Sequence, residues 1–311
     1  MRRLLVCLAA CADDPGWGAV ENPIAGFDDV AIKDAFLTRG TDGWQLGYSE
    51  ISDEPFRFRL GFASSSDLGR VERQPVLDQP DTGGLASPSV TRAPDGRFVM
   101  TYNSHTADVD GALNKLYYRT STDLLRWSDP QRIHVDGADT AGDRLIDATV
   151  AFTDAGAFLV FKRGQIANAA YSASGSLDGP WELLGPLKPR AIENGQLIAI
   201  DGTWHLLATT IPLHAPVLHR LAGDPRDPRA WLEWEVVREL AIPAQPWNDG
   251  ELLAHERANA AFLVDDRETD GVFYVIYAGS IEVTSFEGRG HSSLGIARSV
   301  DLEHWEVPPA R

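Results

Sequence analysis

Three acidic residues stand at the starts of strand-like runs, where their carboxyl groups could take part in chemistry. Asp34 opens the run Asp-Ala-Phe-Leu, Asp147 opens Asp-Ala-Thr-Val and Glu193 opens Glu-Asn-Gly-Gln. Each lies ten or eleven residues before an aromatic residue that begins a second apolar run. Because aspartate is disfavoured in strands and costly to bury without a partner, such positions indicate a use for the charge. Acids that simply face solvent or neighbouring backbone N–H groups are the alternative interpretation.

Converging carboxyl groups suit the cleavage of glycosidic bonds. One carboxylic acid protonates the leaving oxygen, and one carboxylate activates water. A third carboxylate nearby would raise the pKa of the acid by like-charge repulsion and keep it protonated near neutral pH. The three acids therefore fit a hydrolytic site if the fold brings them together.

The elements around these acids recur along the chain. A strand led by an aromatic residue follows a glycine-containing turn, a strong hairpin signal, at Trp44, Phe98, Phe158, Trp204 and Phe273. After each copy come a further strand, a turn and an outer strand or segment that usually starts at Trp, as at Trp127, Trp181, Trp231 and Trp305. Four strands repeated five times predict an all-β fold, a five-bladed β-propeller with four antiparallel strands per blade. A β-sandwich is the alternative, but it would not produce a five-fold repeat of this length.

The propeller would bring the acids to one place. Inner strands line the central channel, so equivalent positions on successive blades converge at one of its ends. Counted back from the aromatic residues, these positions are Asp34, Ser87, Asp147 and Glu193 in blades one to four. We therefore expect the three acids to face one another across a single pocket, with Ser87 as a substrate-binding residue.

Composition argues against several other classes of function. The chain has 311 residues and a net charge of −17, which disfavours binding to nucleic acids or to anionic membrane surfaces. The charge is compatible with an uncharged substrate held among carboxylates. No run approaches the ~20 apolar residues of a membrane span. We expect a monomer whose partner is a carbohydrate substrate.

The N-terminus has the features of an export leader. Met1-Arg2-Arg3 precedes a short apolar run, and Leu8-Ala9-Ala10-Cys11 resembles a bacterial lipobox in which the cysteine is lipidated. We predict a leader and tail over residues 1–24, a propeller catalytic domain over 25–311, and a lipid anchor at Cys11. The protein would be a periplasmic or cell-surface lipoprotein, or secreted; a disordered or wrongly assigned N-terminus is the alternative. Both cysteines, Cys7 and Cys11, lie in this segment, so no disulfide framework exists.

With these features, residues 25–308 resemble the five-bladed propeller glycoside hydrolases of family 43, the arabinofuranosidases, xylosidases and arabinanases. The closest local similarity is Ile146-Asp147-Ala148-Thr149-Val150, with Phe161-Lys162 downstream. The resemblance implies an inverting hydrolase of arabinose- or xylose-containing plant polysaccharides or oligosaccharides. It implies Asp34 as general base, Asp147 as pKa modulator and Glu193 as general acid. The chain lacks the Asp-Pro usual in blade one and the Gly-Pro usual after the blade-four glutamate, so the sugar stays open.

Two alternatives stand beside this function. One is a propeller glycosidase of different sugar specificity. The fructan-cleaving propellers are the nearest, but they would carry Arg-Asp-Pro in blade three and Glu-Cys in blade four, which this chain lacks. The other is a non-catalytic, carbohydrate-binding propeller that kept the acids.

Four further residues are candidates for roles around the pocket. Arg163 and Arg298 could hydrogen-bond sugar hydroxyls, although surface ion pairs are more common for arginine. Trp247 could stack on a sugar face or pack at the solvent edge. His291 enters the last blade, where some members of the resembled family hold a central metal through a histidine; a turn histidine is the alternative. The resemblance implies no required cofactor and allows a structural Ca²⁺ in the central channel.

Overall fold

The computed structural model describes residues 17–53, 55–79, 82–105, 114–140, 142–211, 214–249, 258–281 and 292–311. These residues form five small sheets, one for each predicted repeat, in which strands consecutive in sequence pair antiparallel. Helix within these ranges is limited to two short 3-10 turns, Trp17–Ala19 and Pro228–Leu232. The five-bladed β-propeller is therefore confirmed.

The blades follow one another along the chain. Blade one contains β1 (Ala31–Gly40), β2 (Gly43–Asp53), β3 (Phe56–Ser65) and β4 (Glu72–Leu77). Blade two contains β5 (Leu85–Arg92), β6 (Phe98–Ser104), β7 (Leu116–Ser121) and β8 (Gln131–Arg132). A two-residue strand, β9 (Val135–Asp136), then precedes blade three, with β10 (Leu145–Thr153), β11 (Gly156–Arg163), β12 (Ile166–Ser172) and β13 (Trp181–Pro186). Blade four contains β14 (Ile192–Ile200), β15 (Thr203–Thr210), β16 (Pro216–Leu221) and β17 (Trp234–Glu239), and blade five contains β18 (Asn259–Asp266), β19 (Val272–Gly279) and β20 (Ser293–Ser299).

Two blades depart from the four-stranded pattern. In blade three, β9 adds a fifth strand, because it pairs in parallel with the outer strand β13. In blade five the described residues form three full strands, and Glu306 makes a single antiparallel bridge to Arg298 on β20. That bridge lies where the other blades carry their outer strand.

The hydrophobic core lies between neighbouring blades. Separate clusters of buried side chains join blades two and three, three and four, and four and five, and a larger one joins blade one to its neighbours on both sides. The tryptophans of the predicted repeat contribute to these clusters, but of those expected to begin an outer strand only Trp181 does so. Trp231 lies in the 3-10 turn before β17, which begins at Trp234. Trp181 and Trp231 are completely buried, and Trp231 stacks on Phe158 with ring centroids 3.9 Å apart. This packing fixes the inner strands around the channel.

Residues before position 25 also belong to the propeller. Trp17, Val20 and Ile24 are buried in the cluster around blade one. The side chain of Asn22 accepts a hydrogen bond from Ile296 N and donates one to Ile296 O, each 2.9 Å long. The boundary predicted after residue 24 is therefore too late, because the segment from Trp17 packs against the first and last blades. Cys7 and Cys11 lie outside the described residues. No helix in the described ranges is long and apolar enough to cross a membrane.

Candidate active site

A β-bulge at the same point of all five inner strands builds the end of the channel. The register with the second strand of each blade shifts at this point in β1, β5, β10, β14 and β18. The shift places one residue of each strand in left-handed backbone: Asp34 (φ 50°), Ser87 (φ 53°), Asp147 (φ 56°), Asn194 (φ 49°) and Ala260 (φ 48°). Such angles are uncommon for residues other than glycine, and bulges often redirect a side chain beside a functional site. The bulges thus place a ring of equivalent residues around the channel.

This ring corrects the alignment at blade four. Glu193 pairs with Thr209 just before the bulge, so Asn194, not Glu193, is the equivalent of Asp34 and Asp147. The error arises from counting back from the aromatic residues. Trp44 and Trp204 follow the first residue of their strands directly, whereas Phe158 lies two residues after Gly156. Glu193 nevertheless lines the same cavity as the two aspartates.

Asp34 is held by three neutral donors from three blades. Its Oδ2 accepts from Ser49 Oγ at 2.9 Å and from Ser87 Oγ at 3.4 Å, and its Oδ1 accepts from Asn194 Nδ2 at 3.1 Å. Only 8% of the residue is exposed. Since an ionised carboxylate accepts hydrogen bonds and donates none, this environment suits Asp34 as an oriented base. Ser87 therefore contacts the acids, as its predicted position implies.

Like Asp34, Asp147 is almost completely buried. Its backbone N–H donates to Asn103 Oδ1 at 3.2 Å, and its Oδ2 accepts from the backbone N–H of Asn194 at 3.4 Å. Burial raises the pKa of the Asp147 carboxyl above its ordinary value, and the negative charges of Asp34 and Glu193 raise it further. Lys162 and a hydrogen bond with Ser87 oppose that rise. The carboxyl group of Asp147 therefore holds a proton more readily than an ordinary aspartate does.

Glu193 is paired with a lysine that the sequence analysis did not assign to the site. Lys162 Nζ, on β11, lies 2.6 Å from Glu193 Oε2 and thus compensates its charge. The lysine side chain is 5% exposed and that of the glutamate 21%. The imidazole of His214 lies near the other carboxylate oxygen, with Nδ1 4.0 Å from Oε1. Lys162 acts on both Glu193 and Asp147, so the two acids and the lysine form one charged cluster, which we call the Lys162 cluster.

These groups border one cavity of about 150 Å³. Its lining includes Asp34, Ser87, Asp147, Glu193 and Asn194. The rest of its wall includes the basic and aromatic residues Lys33, Phe58, His105, Arg144 and Lys162, together with Asn103 and Asn259. The three predicted acids are therefore brought together at one end of the channel.

Three other predicted residues lie elsewhere. Arg163 forms an ion pair with Asp143, with Nε 2.8 Å from Oδ1. Arg298 pairs with Glu306 and lies over the ring of Trp17. Trp247 stacks on Tyr277 with ring centroids 5.9 Å apart. None of the three lines the cavity, because local ion pairs or packing engage their side chains. The substrate-binding roles predicted for them are not supported by these positions.

The structural calcium ion that the family resemblance allows in the central channel stays a prediction. Beside the acids lies a space of about 30 Å³, whose wall combines Asp34, Asp147 and Asn194 with small and apolar residues such as Ala35 and Phe262. The amide of Gln196 is hydrogen-bonded to blade five there, because it donates to Leu263 O and accepts from Leu263 N, both at 2.7 Å. His291 lies outside the described residues, so its role as a metal ligand stays a prediction.

Fold and site together define a class: a five-bladed propeller with a carboxyl-lined cavity at one end of its channel. No protein-family model and no curated protein sequence matches the chain. Solved structures do match it. A GH62 hydrolase in complex with xylotriose has a TM-score of 0.65 at 13% identity and covers 91% of this chain and 98% of its own.

Two further solved structures have similar scores. A thermostable family-43 glycoside hydrolase has a TM-score of 0.64 at 14% identity and covers 94% of this chain and 97% of its own. An exo-β-1,3-galactanase from Clostridium thermocellum has a TM-score of 0.63 at 14% identity, covering 93% of this chain and 64% of its own. At these identities the matches show a shared fold, the propeller of glycoside hydrolases such as those of family 43.

Proposed function

We propose that the protein is a glycoside hydrolase that uses the carboxyl groups at the end of the channel. The observation that carries this proposal is the meeting of Asp34, Asp147 and Glu193, from three blades, around one cavity. A hydrolase of this kind needs an acid and a base on either side of the scissile bond. The fold shared with glycoside hydrolases supports the same reaction class.

Asp34 is the proposed base. Three hydrogen bonds fix its carboxylate, and the donors are two hydroxyls and an amide rather than cations. None of these three partners carries a positive charge. A carboxylate so oriented can remove a proton from a water molecule that attacks the anomeric carbon.

The proposed proton donor belongs to the Lys162 cluster. This cluster contains two carboxyl groups and one ammonium group, so one excess proton makes it electrically neutral. The carboxyl of Glu193 is more exposed than Asp147, and it is the group from which we propose the proton reaches the leaving oxygen. When the proton sits on Glu193, the ammonium of Lys162 can balance an ionised Asp147.

This mechanism predicts inversion of configuration, with water attacking from the side of Asp34. Arabinose- or xylose-containing oligosaccharides are the proposed substrates, on the family resemblance. The solved structures that share the fold include a galactanase and a complex with xylotriose, so the substrate screen below includes other sugars as well. We propose also that the protein is exported, anchored through Cys11 or secreted, and acts as a monomer that requires no cofactor.

A screen with nitrophenyl glycosides tests this function. The panel contains arabinofuranoside, xyloside and galactoside, with fructan as a separate substrate. Turnover by the wild-type protein that is lost in Asp34→Ala supports the proposal. Tight binding of oligosaccharides without turnover would instead identify a carbohydrate-binding propeller, and turnover of fructan alone would move the protein to the fructan-cleaving class.

A further inference from the structure

One arginine at the cavity has no protein partner in the described part of the chain. Arg144 immediately precedes β10 and lines the cavity wall. Among the described residues, none forms an ion pair with its guanidinium group or accepts a hydrogen bond from it. Other arginines of the blades behave differently: Arg57, Arg73 and Arg267 each bind at least one carboxylate in bidentate or paired contacts. A guanidinium group with five donors and no acceptor is well suited to binding an anion.

Two other basic residues lie near Arg144. Lys33 lies on β1 directly before Asp34, and His105 directly follows β6; both line the same cavity. The pKa of His105 falls to about 4, because burial disfavours its charged form and the positive charges of Lys33 and Arg144 repel a proton. His105 is therefore neutral at physiological pH, and it stacks on Phe58 with ring centroids 3.8 Å apart. A neutral imidazole can both donate to and accept from a ligand.

These basic side chains contrast with the net negative charge of the chain. The chain has 28 basic and 45 acidic residues, yet Lys33, Arg144 and Lys162 meet at one small cavity. Lys162 balances Glu193, whereas Arg144 balances no described acid. By chain position, Lys33 directly precedes Asp34 on β1, and Arg144 lies three residues before Asp147, just outside β10. The wall of the cavity therefore combines carboxyl groups with basic side chains.

We infer that Arg144, with Lys33 and His105, forms a subsite for an oxyanion group bound beside the catalytic acids. The group is either a carboxylate on the substrate sugar, as in a uronic acid, or an inorganic oxyanion such as phosphate that binds together with the sugar. This inference rests on the proposed function, since it names the substrate class of the same site. It also differs from the uncharged substrate with which the net charge is compatible.

Binding measurements test the subsite without requiring turnover. Isothermal titration calorimetry compares glucuronate with glucose, galacturonate with galactose, and inorganic phosphate alone. The proteins are the wild type, Arg144→Gln, Arg144→Lys and the control Arg126→Gln. Arg126 is an exposed arginine on blade two whose partner is Asp123, and it does not line the cavity. Thermal unfolding of each variant checks that it remains folded.

We expect at least one anion to bind more tightly than its neutral counterpart, and Arg144→Gln to weaken that binding by about 10- to 100-fold, the effect of a charged hydrogen bond. Arg144→Lys should restore part of it, and Arg126→Gln should change nothing. A preference for the uronates identifies a sugar carboxylate; binding of phosphate alone identifies a free oxyanion. Equal binding of anionic and neutral sugars without phosphate binding, or a preference that survives Arg144→Gln, would overturn the inference. If anions bind but no glycoside is hydrolysed, the subsite stands and the proposed function fails.

Discussion

Replacement of Lys162 by methionine should destabilise the protein far more than loss of an exposed lysine. The change removes the ammonium group that lies 2.6 Å from Glu193 and acts on the buried Asp147. Removing one partner of a buried ion pair typically costs about 3–5 kcal/mol, because the other charge is left without compensation. Glu193 keeps 21% of its side chain exposed, so water can take over part of this role. We therefore expect the free energy of unfolding to fall by about 3 kcal/mol at neutral pH, the lower end of this range.

The matched control is Lys188→Met. Lys188 also pairs with a glutamate, Glu233, at 2.8 Å, but the two side chains are 69% and 51% exposed. Exposed pairs contribute about 0–1 kcal/mol, so this variant should unfold almost like the wild type. Urea denaturation of both variants gives the free energy of unfolding directly. Equal losses in the two variants would refute the account of the Lys162 cluster.

The stability lost in Lys162→Met should depend on pH in a defined direction. Asp147 has a raised pKa in the folded protein, so the folded state binds its proton more readily than the unfolded state does. Its contribution to stability is therefore greatest at low pH and declines as pH rises from the unfolded pKa through the folded one. Removing the positive charge of Lys162 raises the pKa of Asp147 further. The loss in Lys162→Met should thus shrink on acidification and be largest at neutral pH. A loss independent of pH, or one that Glu193→Gln in the same chain does not relieve, would contradict this reasoning.

Three further predictions concern catalysis and are measured by steady-state kinetics on whichever glycoside the screen identifies. Asp34→Ala should lower kcat by about 10²- to 10⁴-fold, the usual contribution of a general base, and a smaller effect would assign the base elsewhere. Glu193→Ala should slow substrates with poor leaving groups far more than activated aryl glycosides, because only the former need a proton; equal losses would exclude Glu193 as the acid. Asp147→Asn should move the alkaline limb of the pH–rate profile to lower pH, since the Lys162 cluster loses a negative charge that holds its proton. An alkaline limb at the same pH would contradict the proposal that the charge of Asp147 holds the proton of this cluster.

The fold could be predicted because each blade repeats a local pattern. Hairpin turns and aromatic-led strands are encoded within a few residues, so five copies could be recognised without any knowledge of contacts between blades. The positions of Asp34, Ser87 and Asp147 followed from the same repeat. The segment before residue 25 was missed, because Trp17 fills space between the first and last blades rather than a position in the repeat.

The finer geometry of the site depends on contacts that the repeat does not encode. Glu193 was assigned to the wrong ring position, since the bulge and not the aromatic residue sets the equivalence. Lys162 contacts Glu193 from the neighbouring blade, 31 positions away in the chain, and no local sequence motif indicates such a pair. Trp247 resembled a stacking platform, but it lies against the backbones of Gly279 and Gly295, where an added Cβ would come within 2.7 Å and 2.4 Å of the indole.

The central claim is that the channel-end carboxyls hydrolyse a glycosidic bond with inversion. Proton NMR, recorded during the first turnovers of a glycoside of defined anomeric configuration, tests it most directly. The account predicts that the wild-type protein releases the sugar in the opposite configuration, before mutarotation, and that Asp34→Ala releases it at least about 10²-fold more slowly. Release of the sugar in its original configuration, or equal release by Asp34→Ala, would contradict it.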